Sequence, residues 1–484
     1  LADARCQSLA SWDPGAILTQ NTDEPLAGDE ALTPLAVTSG ATNVLTGGSG
    51  IGHRFLQPDR GEPIPYLVDA DTLPSGLSTN NALAAVSNAL AAWEAVSSAR
   101  FSFQGLQSFS QPANSVSADD GVLRIQLHDL WGAIEDENTL GIGGGSFWTS
   151  VIGDDWTTGG EVFGNDFHET ASGYVVLNHT APSMQVWSTL TEVLCHEIGH
   201  ALGMAHSSED PNQPVGSPAQ QAQMYYLAHE DGRGAAPTAW DTNVLQQIHP
   251  SANTPPYLFD RVMDVVTASP QPSVPGINEI QVKGYDRQGT ALSMAFAETN
   301  ATNGAFSSSA GLLRFTPKGS FNGARLDPAG SSYYDYLYAR CSDGVHASPF
   351  AWLRVVSFSV DQYPSISDGI PDNWMIAHFG NANPAVGTNH GATQDKDGDG
   401  INNRDEYRSW MSPTNAASAQ RLSAAPDGTV SWQGKAYELY ELQGSTNLTH
   451  WFFVRAVLPA NDTPTVKVSP PSSGPIVYRA VKVP

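Results

Sequence analysis

Positive charge is scarce in this chain of 484 residues: Lys and Arg number 23 against 49 Asp and Glu, a formal net charge of −26. That balance excludes nucleic acid as a partner, because phosphate contacts need cations. Charged residues of both signs make up only 15%, below the ~25% usual in globular domains. Long apolar runs are also missing; with none of about 18 residues, no transmembrane segment is expected. Three cysteines, Cys6, Cys195 and Cys341, are too few for a disulfide framework. One bridge can form within the chain, which leaves one thiol over. Glycine and proline, by contrast, are plentiful at 45 and 33 residues and point to loops and β structure. Length gives a prior of roughly three or four domains. The first residue is Leu1, so a removed leader or a trimmed longer chain is expected.

What the chain does contain is organised around Cys195-His196-Glu197-Ile198-Gly199-His200-Ala201-Leu202-Gly203-Met204-Ala205-His206-Ser207. His196 and His200 are four apart, so on a helix they share one face and can bind a single cation. Glu197 lies one residue on, beside the metal, where a general base is wanted. Gly203 allows the sharp turn that brings His206 back as a third nitrogen. Three imidazoles and one open position describe a catalytic zinc site, since structural sites close with four protein ligands. A surface helix with incidental histidines would leave unexplained why they fall among Leu190, Val193, Leu194, Ile198, Ala201 and Leu202. On a packed face, three histidines and a glutamate without a metal would be costly.

Met224-Tyr225-Tyr226 follows downstream. With the extended HExxHxxGxxH pattern it resembles the methionine turn of metzincin zinc proteases. The stretch from Tyr174 to His249 is most similar to a matrixin-type catalytic domain. The resemblance implies that Met224 forms a floor under the zinc without ligating it. It also implies that Tyr174-Val175-Val176-Leu177-Asn178 is the antiparallel edge strand over which substrate lies. Ser207 follows the matrixin habit, where astacins have Glu. Tyr226 stands where matrixins usually have Pro; a tyrosine there resembles astacins and serralysins, in which it can reach the metal. Thr238-Ala239-Trp240-Asp241 opens a final helix with capping-box logic.

The implied fold class is an α+β metzincin catalytic domain, with a twisted mixed sheet, a long helix, a zinc helix and a Met-turn, followed by all-β sandwich modules. Residues 1–50 read as a pro-segment or N-terminal arm, and 51–252 as the catalytic domain. Within it, Ile64–Val68 and Val122–Leu127 read as strands, and Ser78 caps a helix carrying Leu83, Val86, Leu90, Trp93 and Val96 at helical spacing. The acidic, glycine-rich region from Glu135 to Glu169 is where matrixins place structural calcium and a second zinc. His128, His168 and His179 in and around it read as ordinary polar residues. Prolines mark 253–275 as a linker.

Residues 276–360 split into short alternating segments and resemble a cadherin-like or immunoglobulin-like sandwich, with Asp343 its best calcium candidate. In 361–417, Asp395, Asp397, Asp399, Asn403 and Glu406 stand at positions 1, 3, 5, 9 and 12 of a calcium loop, with Gly400 at position 6. Ile401 at position 7 contributes its carbonyl. The loop resembles dockerin and thrombospondin types, and Asp368–Trp374 resembles a degenerate partner half. Residues 418–484 read as a terminal β-sandwich module.

The function expected is a secreted or cell-surface zinc endopeptidase acting on protein or peptide substrates, with Zn²⁺ catalytic and Ca²⁺ structural. Surface or matrix ligands would bind through the C-terminal β modules. Glu197 serves as general base, and Tyr226 helps hold the oxyanion. The rivals are an inactive calcium-binding adhesion protein built on a protease fold, and a zinc amidase. Inactive relics commonly lose the base or a ligand; here Glu197 and all three histidines are present. Arg5-Cys6 matches part of the matrixin pro-segment motif, which makes Cys6 a candidate zymogen switch. A disulfide to Cys341, a free thiol, or acidic pro-segment ligands such as Asp3 or Asp13 are its alternatives.

Overall fold

The computed structural model describes residues 9–11, 17–19, 51–136, 138–148, 151–152, 156–229, 231–268, 278–309, 311–319, 321–330, 332–362, 368–418, 422–468 and 476–483. The chain divides into two compact units: one holds 1–257, 286–293 and 341–350, the other 258–285, 294–340 and 351–484. The architecture is mixed α/β, with a large mixed sheet and several small all-β sheets.

In the first unit, the strands Phe101–Gln107, Ile64–Asp69, Val122–Gln126 and Asn165–Leu177 lie side by side in that order and parallel. Thr139–Trp148 then pairs antiparallel with Asn165–Leu177. This corrects the sequence reading of the edge. Tyr174–Leu177 is flanked on both sides, and it is Thr139–Trp148 that runs antiparallel beyond it. The physical reason is plain in both segments. Val175, Val176 and Leu177 are fully buried, as a continuous apolar run in an interior strand should be. Gly141, Gly143, Gly144 and Gly145 fall within Thr139–Trp148, where glycine weakens a strand unless another backbone must come close. Leu9–Ser11 and Ile17–Thr19 pair with the far side of this glycine-rich strand, both antiparallel.

Two helices cover the sheet. Thr79–Glu94 begins at Ser78, whose hydroxyl accepts from the Asn81 amide at 3.2 Å. It buries Val86, Leu90 and Trp93. The Trp93 indole donates to the Cys195 carbonyl at 2.8 Å and so ties it to the histidine helix, Trp187–Ala201. Every residue of that second helix from Thr189 to Ala201 is buried. Cys195 and Cys341 are buried free thiols, both raised in pKa by burial, Cys341 to about 12.

The expected linker over 253–275 holds a strand instead, Arg261–Ala268, parallel to Ala351–Asp361 in the second unit. Prolines at either end masked the apolar Val262, Met263, Val265 and Val266, all buried. The segment expected as one sandwich over 276–360 is also shared between units. His346–Ala347 pairs with Gly160–Val162 in the first, where Asn253 also donates to Asp343 at 3.0 Å. Asp343 is thus engaged in a polar turn. Near the C-terminus two three-stranded antiparallel sheets share a core of Val430, Trp432, Tyr440, Leu442 and Val466. Among the described residues no helix is long and apolar enough to cross a membrane.

Candidate metal centre

The histidine helix ends in a turn that decides the site. Met204 donates to the Gly199 carbonyl at 3.0 Å and Gly203 to that of His200 at 2.9 Å, a Schellman closure with Gly203 at φ 98°. A Cβ at Gly203 would lie 2.3 Å from the His53 carbonyl oxygen, so glycine is required for space as well as conformation. The chain then returns and places His206 beside the two helical histidines. Ring centroids of the three lie 4.7, 4.9 and 5.1 Å apart, and all three rings are buried.

Hydrogen bonds fix which nitrogen of each ring points inward. His196 Nδ1 faces the Gln223 carbonyl at 2.9 Å and His200 Nδ1 that of Met204 at 2.7 Å. His206 Nδ1 faces Glu209 Oε1 at 3.1 Å. Each neutral ring therefore carries its proton on Nδ1 and a lone pair on Nε2. Yet Nε2 of His196 and Nε2 of His200 lie only 2.9 Å apart. Two lone pairs at that distance repel unless a cation lies between them. A proton is opposed by burial, which pushes both histidines well below their ordinary pKa. The three residues form a group able to hold a metal ion. Three neutral imidazoles, with no fourth protein ligand grouped with them among the described residues, are the donor set of catalytic zinc.

Glu197 is fully buried and neither carboxylate oxygen has a hydrogen-bond partner. Burial pushes its pKa well above the ordinary value. The glycine-rich strand makes that burial possible. A Cβ at Gly141 would lie 2.8 Å from Glu197 Cγ, and one at Gly143 only 2.2 Å from the Glu197 carbonyl oxygen. Beneath the helix, Met224 Sδ would be 2.3 Å from a Cβ at Gly199, the residue just before His200. Asp241 holds this turn: it accepts from the amides of Gln223 at 2.8 Å and Met224 at 3.0 Å, while capping its own helix with Thr238. The capping box was readable from sequence; its second task was not. Tyr226 is half-buried, its ring 6.4 Å from that of His206 and edge-on to that of Tyr225 at 5.0 Å.

The remaining site candidates fall elsewhere. Cys6 lies outside the described residues. His168 stacks on Phe147, which stacks in turn on His53, at centroid distances of 5.4 and 5.5 Å. In the second unit, Asp395, Asp397 and Asp399 form another group able to hold a cation. Glu406 and Asn403 are fully buried. Both Glu406 oxygens, Asp397 Oδ2, Asp399 Oδ2 and Asn403 Oδ1 lack hydrogen-bond partners. Burial, then the charges of Asp397, Asp399 and Asp395, push Glu406 up to about 7. Asp395 accepts from the Gly398 and Gly400 amides at 2.6 and 2.8 Å, which folds the loop over Gly400. Five acceptors with nothing to accept from suit a hard cation. The chain matches no protein-family model and no curated protein.

Proposed function

We propose that the chain is a zinc-dependent endopeptidase of metzincin type. The observation that carries the reading is the pair of Nε2 lone pairs held 2.9 Å apart, each fixed by a carbonyl on the opposite nitrogen. Further support comes from four parallel strands followed by the antiparallel Thr139–Trp148, and from a methionine packed on Gly199. His196, His200 and His206 would hold the ion. Zinc in such a donor set acidifies a water molecule and polarises a carbonyl. Glu197 would take a proton from that water and deliver it to the leaving amine; its buried, partnerless carboxylate suits a base whose pKa must lie near the working pH. Thr139–Trp148 lies against Glu197, and an extended peptide would be expected to align along its outer side in place of Leu9–Ser11 and Ile17–Thr19, which pair there. The 395–406 loop would hold a structural calcium ion.

The test combines metal content with peptidase assays on casein and on peptide libraries. One zinc per chain is expected in the first unit, with cleavage lost on chelation and restored by zinc. Glu197→Gln should keep the zinc and lose about 10²–10⁴-fold in rate, the usual worth of a general base. Full cleavage by a zinc-loaded Glu197→Gln variant would overturn the mechanism. A zinc-loaded parent that cleaves amides but no peptide would favour the amidase.

A further inference from the structure

The three metal-facing rings are not held alike. His196 and His200 sit on a helix, and each has its Nδ1 fixed by a main-chain carbonyl. His206 sits on irregular chain past the Gly203 turn, where no helix sets its direction. Its backbone neighbourhood is secured through Ser207, whose amide donates to the Met224 carbonyl at 2.7 Å and whose hydroxyl donates to that of Ala219 at 2.6 Å. The ring itself meets a side chain: Glu209 Oε1, 3.1 Å from Nδ1. His206 is buried while the Glu209 side chain is 48% exposed, so the carboxylate reaches in from the surface.

We propose that Glu209 is a positioning residue for the third metal ligand, orienting His206 and strengthening it as a donor. The inference rests on the zinc reading. A carboxylate accepting from Nδ1–H holds the ring in the tautomer whose Nε2 lone pair faces inward. Being anionic, it also makes that lone pair more basic than a carbonyl would. Partners of this kind commonly govern 10–100-fold in metal affinity. The other two orienting groups are main chain and survive any substitution, so Glu209 is where the affinity of the site can be altered without touching a ligand.

The experiment is zinc competition against a fluorescent chelator on the full chain, comparing the parent with Glu209→Gln, Glu209→Asp and Glu209→Ala. Glu209→Ala should bind zinc 10–100-fold more weakly. Glu209→Gln, which keeps an acceptor but not the charge, should fall between. Glu209→Asp tests rescue by a shorter carboxylate. In cobalt-substituted protein, the visible bands of Glu209→Ala should shift, which a merely structural role would not cause. Thermal unfolding of the metal-free forms should be unchanged, because the residue is half exposed; were Glu209→Ala destabilised, the Glu209→Gln comparison would carry the test. Zinc affinity within twofold of the parent and an unaltered cobalt spectrum for Glu209→Ala and Glu209→Gln alike would overturn the inference alone. If the parent holds no zinc, or His200→Ala holds it as tightly, the zinc reading falls and takes this inference with it.

Discussion

Three imidazoles can present lone pairs to one point only when each opposite nitrogen is spent elsewhere. Here the spending is done by two carbonyls and a carboxylate. The grouping of these three histidines was legible in the sequence because helical spacing and a turn glycine are local properties. Glu209 was not, since it is defined by a contact across an irregular turn. Tyr226 poses the remaining question at this scale. Its ring meets that of Tyr225 edge-on at 5.0 Å, and burial raises its pKa first of all causes. If the hydroxyl stabilises the oxyanion, Tyr226→Phe should lower kcat several-fold with KM nearly unchanged, since the contact exists only in the transition state. Steady-state kinetics on one peptide decide it. Unaltered kinetics would leave Tyr226 as a wall of the substrate pocket, as the matrixin resemblance implies.

At the scale of elements, the least legible segment was the one closest to Glu197. Thr139–Trp148 carries four glycines, and composition alone calls such a stretch a loop. They are needed because the histidine helix packs directly on the strand, leaving 2.2 Å for a Cβ at Gly143. The same strand supplies Phe147, sandwiched between His53 of Gly52–Arg54 and His168 of Asn165–Leu177, residues paired in register. Burial lowers both histidines to about 4. Between about 4 and the unfolded value near 6.5 the unfolded chain binds more protons, so stability falls as pH falls through that window. Each ring can contribute at most about 3.5 kcal/mol to that loss, since the window spans ~2.5 pH units at ~1.4 kcal/mol each. His168→Phe, which keeps an aromatic face against Phe147, should lose less stability than the parent between pH 7 and pH 4.5. Urea unfolding of the metal-free proteins at both pH values measures this. Parallel losses would mean that the pair does not set acid lability.

For the molecule as a whole, the stretch read from the sequence as a linker, 253–275, holds the strand Arg261–Ala268. Composition cannot see that Arg261–Ala268 pairs with a strand about 90 residues later, nor that 286–293 and 341–350 cluster with the first unit, because both are long-range pairings. Two compact units, each with a side-chain group able to hold a cation among the described residues, carry a thermodynamic consequence. An ion that binds only the folded form stabilises the unit it occupies by RT ln(1 + [L]/Kd), about 4 kcal/mol at a thousandfold excess over Kd. Calorimetry of the full chain should show two transitions. A zinc-selective chelator should lower the one that His200→Ala also lowers. A calcium-selective chelator should lower the other, which Glu406→Gln makes insensitive. The calcium effect has a sign in pH as well. Without the ion, the raised Glu406 pKa means that this group's stability contribution is present below about 4.5 and is lost as pH rises through about 7. A cation replaces the proton, so the calcium-induced shift should be larger at pH 8 than at pH 5. A single transition moved equally by both chelators would show that the units unfold together, and a calcium shift that shrinks with rising pH would remove Glu406 from the ligand set.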